Sequence, residues 1–82
     1  MKVLKFYASW CQPCKNMSKL MESMENLPEI EEIDIDEKRD LATHFMIRSV
    51  PTLIKLDETG KEVERYAGGA TDKGKIQEFL GV

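Results

Sequence analysis

Near the N-terminus the apolar residues change period abruptly. Val3, Leu4, Phe6, Tyr7 and Ala8 form a dense run, broken only by Lys5, of the β-branched and aromatic kind that fills a buried strand. From Cys11 onward, Met17, Leu20, Met21 and Met24 recur at i, i+3, i+4 and i+7, with Lys15, Lys19, Glu22 and Glu25 between them. That spacing predicts a helix with one apolar face. Pro13 suits its first turn, where the missing N–H has no intrahelical partner, and Asn26-Leu27-Pro28 ends it. A strand running straight into a helix restricts the topology of the whole sheet. The next strand in that sheet lies parallel to the first, reached by a right-handed crossover.

That second strand is "EIEEIDID", in which Ile33 and Ile35 alternate with Glu32, Asp34 and Asp36. A second helix is predicted over Arg39 to Met46, with Leu41, Ala42 and Phe45 inward. "SVPTLIKLD" opens a third strand at Thr52, "ETG" turns the chain, and "KEVERYA" returns it, so Thr52–Tyr66 reads as a hairpin. Gly68-Gly69 breaks the chain before a last helix, capped by Thr71 or Asp72, whose buried stripe is Ile76, Phe79 and Leu80. The order β-α-β-α-β-β-α predicts an α/β domain over residues 1–82: a four-stranded mixed sheet with helices on both faces.

Composition narrows the function classes. At 82 residues, folding buries only about 60–65% of the unfolded surface, which favours a compact architecture. A net charge of −3 argues against nucleic-acid binding, which shows as a basic face. No window approaches the roughly 20 apolar residues of a membrane span. The apolar run in "MKVLKFYASW" is too short and interrupted for a signal-peptide core. The expected location is the cytoplasm, where thiols stay reduced and structural disulfides are rare.

Cys11 and Cys14 therefore need a reading beyond a staple, and closing so short a loop constrains little of the unfolded chain in any case. A structural zinc site takes four ligands, and this chain has two cysteines and one histidine, His44, expected on a helix surface. Ligation shared across a dimer stays open at this point; within one chain no metal is expected. Cys11 follows a strand and starts a helix, where backbone N–H groups and the helix dipole favour a thiolate. Cys14 lies one turn on, within disulfide reach. These are the requirements of dithiol–disulfide exchange, with Cys11 as nucleophile at the exposed end and Cys14 as resolving thiol. Lys15 either assists the thiolate or is simply solvated.

Along essentially its whole length the chain resembles the thioredoxin family. "FYASWCQPCK" is similar to the family's active-site segment, with Gln12 in place of the usual glycine before Pro13. "SVPT" resembles the segment carrying a cis-proline opposite the dithiol, and Gly68 in "YAGGAT" matches a glycine of the substrate groove. The resemblance implies a thioredoxin-like fold and reduction of protein disulfides. It implies no cofactor beyond a redox-active Cys11–Cys14 disulfide. Its partners would be disulfide-containing proteins and a donor such as thioredoxin reductase, with no nucleic acid or membrane, and the chain a monomer. It also implies that Val50-Pro51 is cis, presenting the Val50 backbone to an extended substrate. Gly68 would let that backbone approach, and Trp10, Gln12 and Pro13 would border it; Trp10 reads otherwise as a half-buried core aromatic. Two alternatives stand beside this: a glutathione-linked oxidoreductase resembling glutaredoxins, and a non-catalytic binding module on the same fold.

The chain departs from the family in three places. The family's extra N-terminal strand and helix are expected to be missing, which would leave "EIEEIDID" as a sheet edge guarded by Glu31, Glu32, Asp34 and Asp36. Lys5 stands where the family usually has a buried aspartate that assists proton transfer, and Glu32 where it has that aspartate's lysine partner. The expectation is either a partly buried Lys5–Glu32 pair behind Cys14, able to relay a proton, or two solvated side chains. Lys19 replaces a helix-kinking proline, predicting a straighter first helix.

Overall fold

The computed structural model describes residues 1–68 and 71–82. Gly69, which the sequence places in the break before the last helix, lies outside the described residues. In chain order the elements are β1 (Lys2–Tyr7), α1 (Gln12–Glu22), β2 (Glu29–Asp34), α2 (Arg39–His44), β3 (Thr52–Leu56), β4 (Glu62–Ala67) and α3 (Lys73–Leu80). The sheet order is β2-β1-β3-β4, with β1 parallel to β2 and antiparallel to β3, and β3 antiparallel to β4. The expected mixed sheet therefore forms, and the acidic β2 is one of its edges.

Alternation along β1 sends Val3 and Lys5 to one face and Leu4 and Phe6 to the other. On the first face, Val3 and Leu53 meet Met17 and Met21 of α1, Met24 just beyond it, and Ile76, Phe79 and Leu80 of α3. On the second, Leu4, Phe6, Ile33, Ile54 and Leu56 are covered by Leu41 and Phe45 from the α2 segment. The Phe6 and Phe45 rings lie 5.7 Å apart in a tilted arrangement. Helices thus cover both faces, α1 and α3 on one and α2 on the other. Asp72 caps α3, its carboxylate accepting the Lys75 N–H at 3.1 Å.

Element ends differ from the sequence reading for local reasons. The helix periodicity runs to Met24, but α1 stops at Glu22, where the Ser23 hydroxyl donates to the Leu20 carbonyl. Met24 keeps its buried place through a further turn bonded to Met21. β2 stops at Asp34 rather than Asp36, because the Asp34 carboxylate takes the Asp36 N–H at 2.8 Å and turns the chain. α2 ends at His44 rather than Met46, whose φ of +52° is outside the helical region. With Lys19 in place, α1 runs uninterrupted from Gln12 to Glu22.

The β3–β4 turn is held by one side chain. Asp57 accepts from the Thr59 hydroxyl at 2.6 Å, the Thr59 N–H at 2.8 Å and the Lys61 N–H at 3.0 Å. These bonds hold its carboxyl below the ordinary aspartate range, the Thr59 hydroxyl most strongly. Gly60 takes the positive φ, +86°, that the turn requires.

Core and turn respond differently to substitution. Leu53→Ala, in the fully buried centre, is expected to cost about 2–5 kcal/mol in urea denaturation, whereas Val63→Ala on the exposed face of β4 changes stability by about 0.5 kcal/mol or less. A carboxyl whose folded pKa is depressed contributes stability above its unfolded pKa and loses it as pH falls through the folded value. Asp57→Asn is therefore expected to lower the urea midpoint at neutral pH. It should also shrink the further loss on acidification below the ordinary aspartate range.

Candidate active site

Between Tyr7 and Gln12 the chain leaves the sheet and enters α1, and Cys11 is the residue that joins the two. Its backbone is extended, with φ −92° and ψ 108°, and its side chain serves as the N-cap of α1. The Cys14 N–H donates to Cys11 Sγ at 3.1 Å. Sulfur thus occupies the place where a helix start usually has serine or aspartate oxygen. Pro13 follows in the first turn. Cys11 and Cys14 are joined as a disulfide with Cα atoms 5.3 Å apart.

Exposure does not distinguish the two cysteines, contrary to the expectation that Cys11 is the open one. They are 4% and 2% exposed, enclosed with Ala8 by Tyr7, Ile35 and Val50. Their bonding distinguishes them instead. Cys11 Sγ takes the helix N–H and lies 3.6 Å from the Val50 carbonyl oxygen, to which a reduced thiol can donate. Cys14 faces the other way, into a cleft of about 320 Å³ that it shares with Tyr7, Ser18, Glu22 and Glu32.

The residues expected to border a substrate groove lie on three segments, and of these Val50 reaches Cys11 Sγ. Val50-Pro51 is cis, and Thr52, which opens β3, pairs with Ala67. That register sets Gly68 level with Pro51. Gly68 has a φ of +131° and open space where a Cβ would sit, so its backbone conformation, not crowding, favours glycine. Trp10 is 67% exposed, not half-buried, and its indole N–H donates to Asp36 at 3.0 Å. Gln12 and Pro13 are exposed on the first turn, where the Gln12 amide donates to Asn16 at 3.2 Å. Lys15 is exposed and His44 lies on the surface of α2, edge-on to Phe45.

Lys5 and Glu32 face each other across β1 and β2, and they pair. Lys5 Nζ lies 3.0 Å from Glu32 Oε1, yet the two differ sharply in exposure, 4% for the lysine side chain against 60% for the glutamate. The second partner of Lys5 is Ser18, whose hydroxyl accepts from Nζ. Sequence reasoning missed Ser18 and Asp36. Ser18 carries a usable signal, since i+4 from Cys14 places it on the same side of α1. Nearby, burial pushes the Tyr7 phenol up, followed by the negative charges of Asp34, Glu32 and Glu37. Among the described residues, no group of three His, Cys, Asp or Glu could hold a metal ion, and no helix is long and apolar enough to cross a membrane.

Comparison with known proteins agrees on one family. The family model described as Thioredoxin matches residues 1–81. A thioredoxin of Chlamydia muridarum is 41% identical over 81 residues, covering 95% of this chain and 78% of that protein. Thioredoxin H2 of Arabidopsis thaliana is 35% identical over 74 residues, covering 87% of this chain but 55% of that protein. The chain thus spans between about half and about three quarters of the length of these relatives. The X-ray structure of Fasciola hepatica thioredoxin superposes with a TM-score of 0.84 at 29% identity, covering 98% of this chain and 77% of that one.

Trp10, the single tryptophan, gives a direct readout of the Asp36 contact. Asp36→Ala is expected to release the indole, raising its acrylamide quenching and lowering its fluorescence anisotropy. Global stability should fall by no more than about 1 kcal/mol, because the bond is exposed.

Proposed function

The chain belongs to the thioredoxin family and is a thiol–disulfide oxidoreductase, and we propose that it works as a reductant of protein disulfides in the cytoplasm. Cys11 is the nucleophile and Cys14 the resolving thiol. The observation that carries the assignment is the N-cap role of Cys11, whose Sγ already accepts a backbone N–H at the positive end of α1. Those features stabilise a thiolate at Cys11 and not at Cys14.

In the reaction, the Cys11 thiolate attacks one sulfur of the target disulfide. A mixed disulfide forms, and the other target sulfur leaves as a thiolate. Cys14, deprotonated, then attacks Cys11 Sγ; the Cys11–Cys14 bond forms and the bond to the target breaks. Two electrons pass from the dithiol to the target, and the released thiolates take up protons from solvent. The target strand lies over the backbone at Val50-Pro51, with Gly68 level with it and Trp10, Gln12 and Pro13 along the rim. The open space beside Gly68 and the exposure of Trp10 support that placement. A flavin-dependent thioredoxin reductase is the electron donor we favour, and the protein acts as a monomer.

The test is insulin reduction followed by turbidity. Cys11→Ser is expected to abolish it, and Cys14→Ser to accumulate a covalent adduct with insulin on a non-reducing gel. Full turnover by Cys11→Ser would overturn the assignment. Regeneration by glutathione and not by the reductase would replace the proposed donor.

A further inference from the structure

Lys5 is the one charged residue that is buried among the described residues, at 3% exposure, on the sheet face that carries Val3 and Leu53 toward α1. Burying an ammonium group is costly unless it is paired and hydrogen-bonded. Its carboxylate partner is largely in water, so Glu32 offsets that cost only in part. The remaining partner is the Ser18 hydroxyl. An oxygen that accepts from an ammonium group keeps its own hydrogen free to donate, and the donor is strengthened by the adjacent charge.

Ser18 lies one turn beyond Cys14 on the same side of α1, and both line the same cleft of about 320 Å³. The ionisable groups facing that cleft are Tyr7 from β1, Lys15, Lys19 and Glu22 from α1, and Glu32 from β2. Lys15 and Lys19 are exposed, so solvent screens them. Asp34 and Glu32 add negative charge that already disfavours a tyrosinate there. An anion on Cys14 needs a local donor in this setting.

We infer that Lys5 and Ser18 are positioning residues for the resolving step: Lys5 fixes the Ser18 hydroxyl so that it donates to the Cys14 thiolate. The inference rests on the assignment of Cys11 as nucleophile and Cys14 as resolving thiol. When Cys14 loses its proton to cleft water, the Ser18 O–H holds the resulting thiolate until it attacks Cys11 Sγ. When a donor reduces the closed disulfide, the same hydroxyl stabilises Cys14 as the leaving group. In the first case the target sulfur is reduced and leaves as a thiolate, and in the second the donor supplies the two electrons; within this chain only the two cysteine sulfurs change oxidation state, and no proton passes through Lys5.

Reaction of the reduced protein with an aromatic disulfide that releases nitrothiobenzoate separates the two steps. The first release reports Cys11 attack and the second reports Cys14 resolving the adduct. Ser18→Ala is expected to slow the second phase about tenfold at neutral pH and move its midpoint to higher pH, one pH unit corresponding to a factor of ten. The first phase should stay within about twofold, and Ser18→Thr, which retains the hydroxyl, should restore the second. Lys5→Met, compared where it retains the parent circular dichroism, is expected to show the same selective shift. A second phase unchanged in rate and pH profile by Ser18→Ala overturns this inference alone. Absence of any second release from the unsubstituted protein overturns the assignment of the pair on which it rests.

Discussion

The hydrogen bond from the Cys14 N–H to Cys11 Sγ is the point at which fold and chemistry become the same interaction. A helix start needs an acceptor for its free N–H groups, and oxygen side chains serve better than sulfur for stability alone. Here the acceptor is the sulfur we propose as the nucleophile. The N–H that begins α1 is therefore also the group that stabilises negative charge at Cys11 once the disulfide opens. The short passage from β1 into α1 fixes this arrangement. β1 is held on both sides by neighbouring strands, and α1 is anchored by Met17 and Met21, so the sulfur between them has little freedom.

The same economy explains the surroundings of the pair. The small cluster of Ala8, Cys11 and Cys14 is not a separate pocket dropped onto the surface. Ile35 and Val50 pack against it and also against the apolar cluster beneath α2. The disulfide pair is an outgrowth of the core, held by residues that the core already fixes. Cys11 and Cys14 divide the environment between them. One sulfur looks toward the Val50 carbonyl, the other toward the cleft at Ser18 and Glu32.

Much of this was readable in the residues, and the reasons for the rest are specific. The period change after Ala8 and the stripe on α3 follow from apolar spacing, which local sequence records directly. Ends decided by side-chain bonds were not visible to that method. The Asp34 carboxylate closing on Asp36 cuts β2 short, and Ser23 cuts α1 short, while apolar spacing alone carries both further. The exposure of Trp10 escaped because its fate depends on Asp36, which lies beyond the end of β2. Whether Lys5 and Glu32 would meet was undecidable from spacing, since only the parallel register of β1 and β2 puts them opposite each other.

That register also explains how the sheet tolerates a charge in its middle. A lysine on an interior strand facing two helices would ordinarily be destabilising, because no water reaches it. β2, however, is an edge, and a glutamate there can reach inward while most of its carboxylate surface stays hydrated. The lysine is satisfied from below by Glu32 and from above by Ser18, so the charge is neutralised at one end and its polarity delivered at the other. A second paired strand outside β2 would cover the edge that keeps Glu32 wet, and a fully buried ion pair would carry a larger desolvation cost. An edge position for β2 and a buried lysine on β1 are therefore compatible within this sheet, and Ser18 carries the lysine's polarity to the cleft beside Cys14.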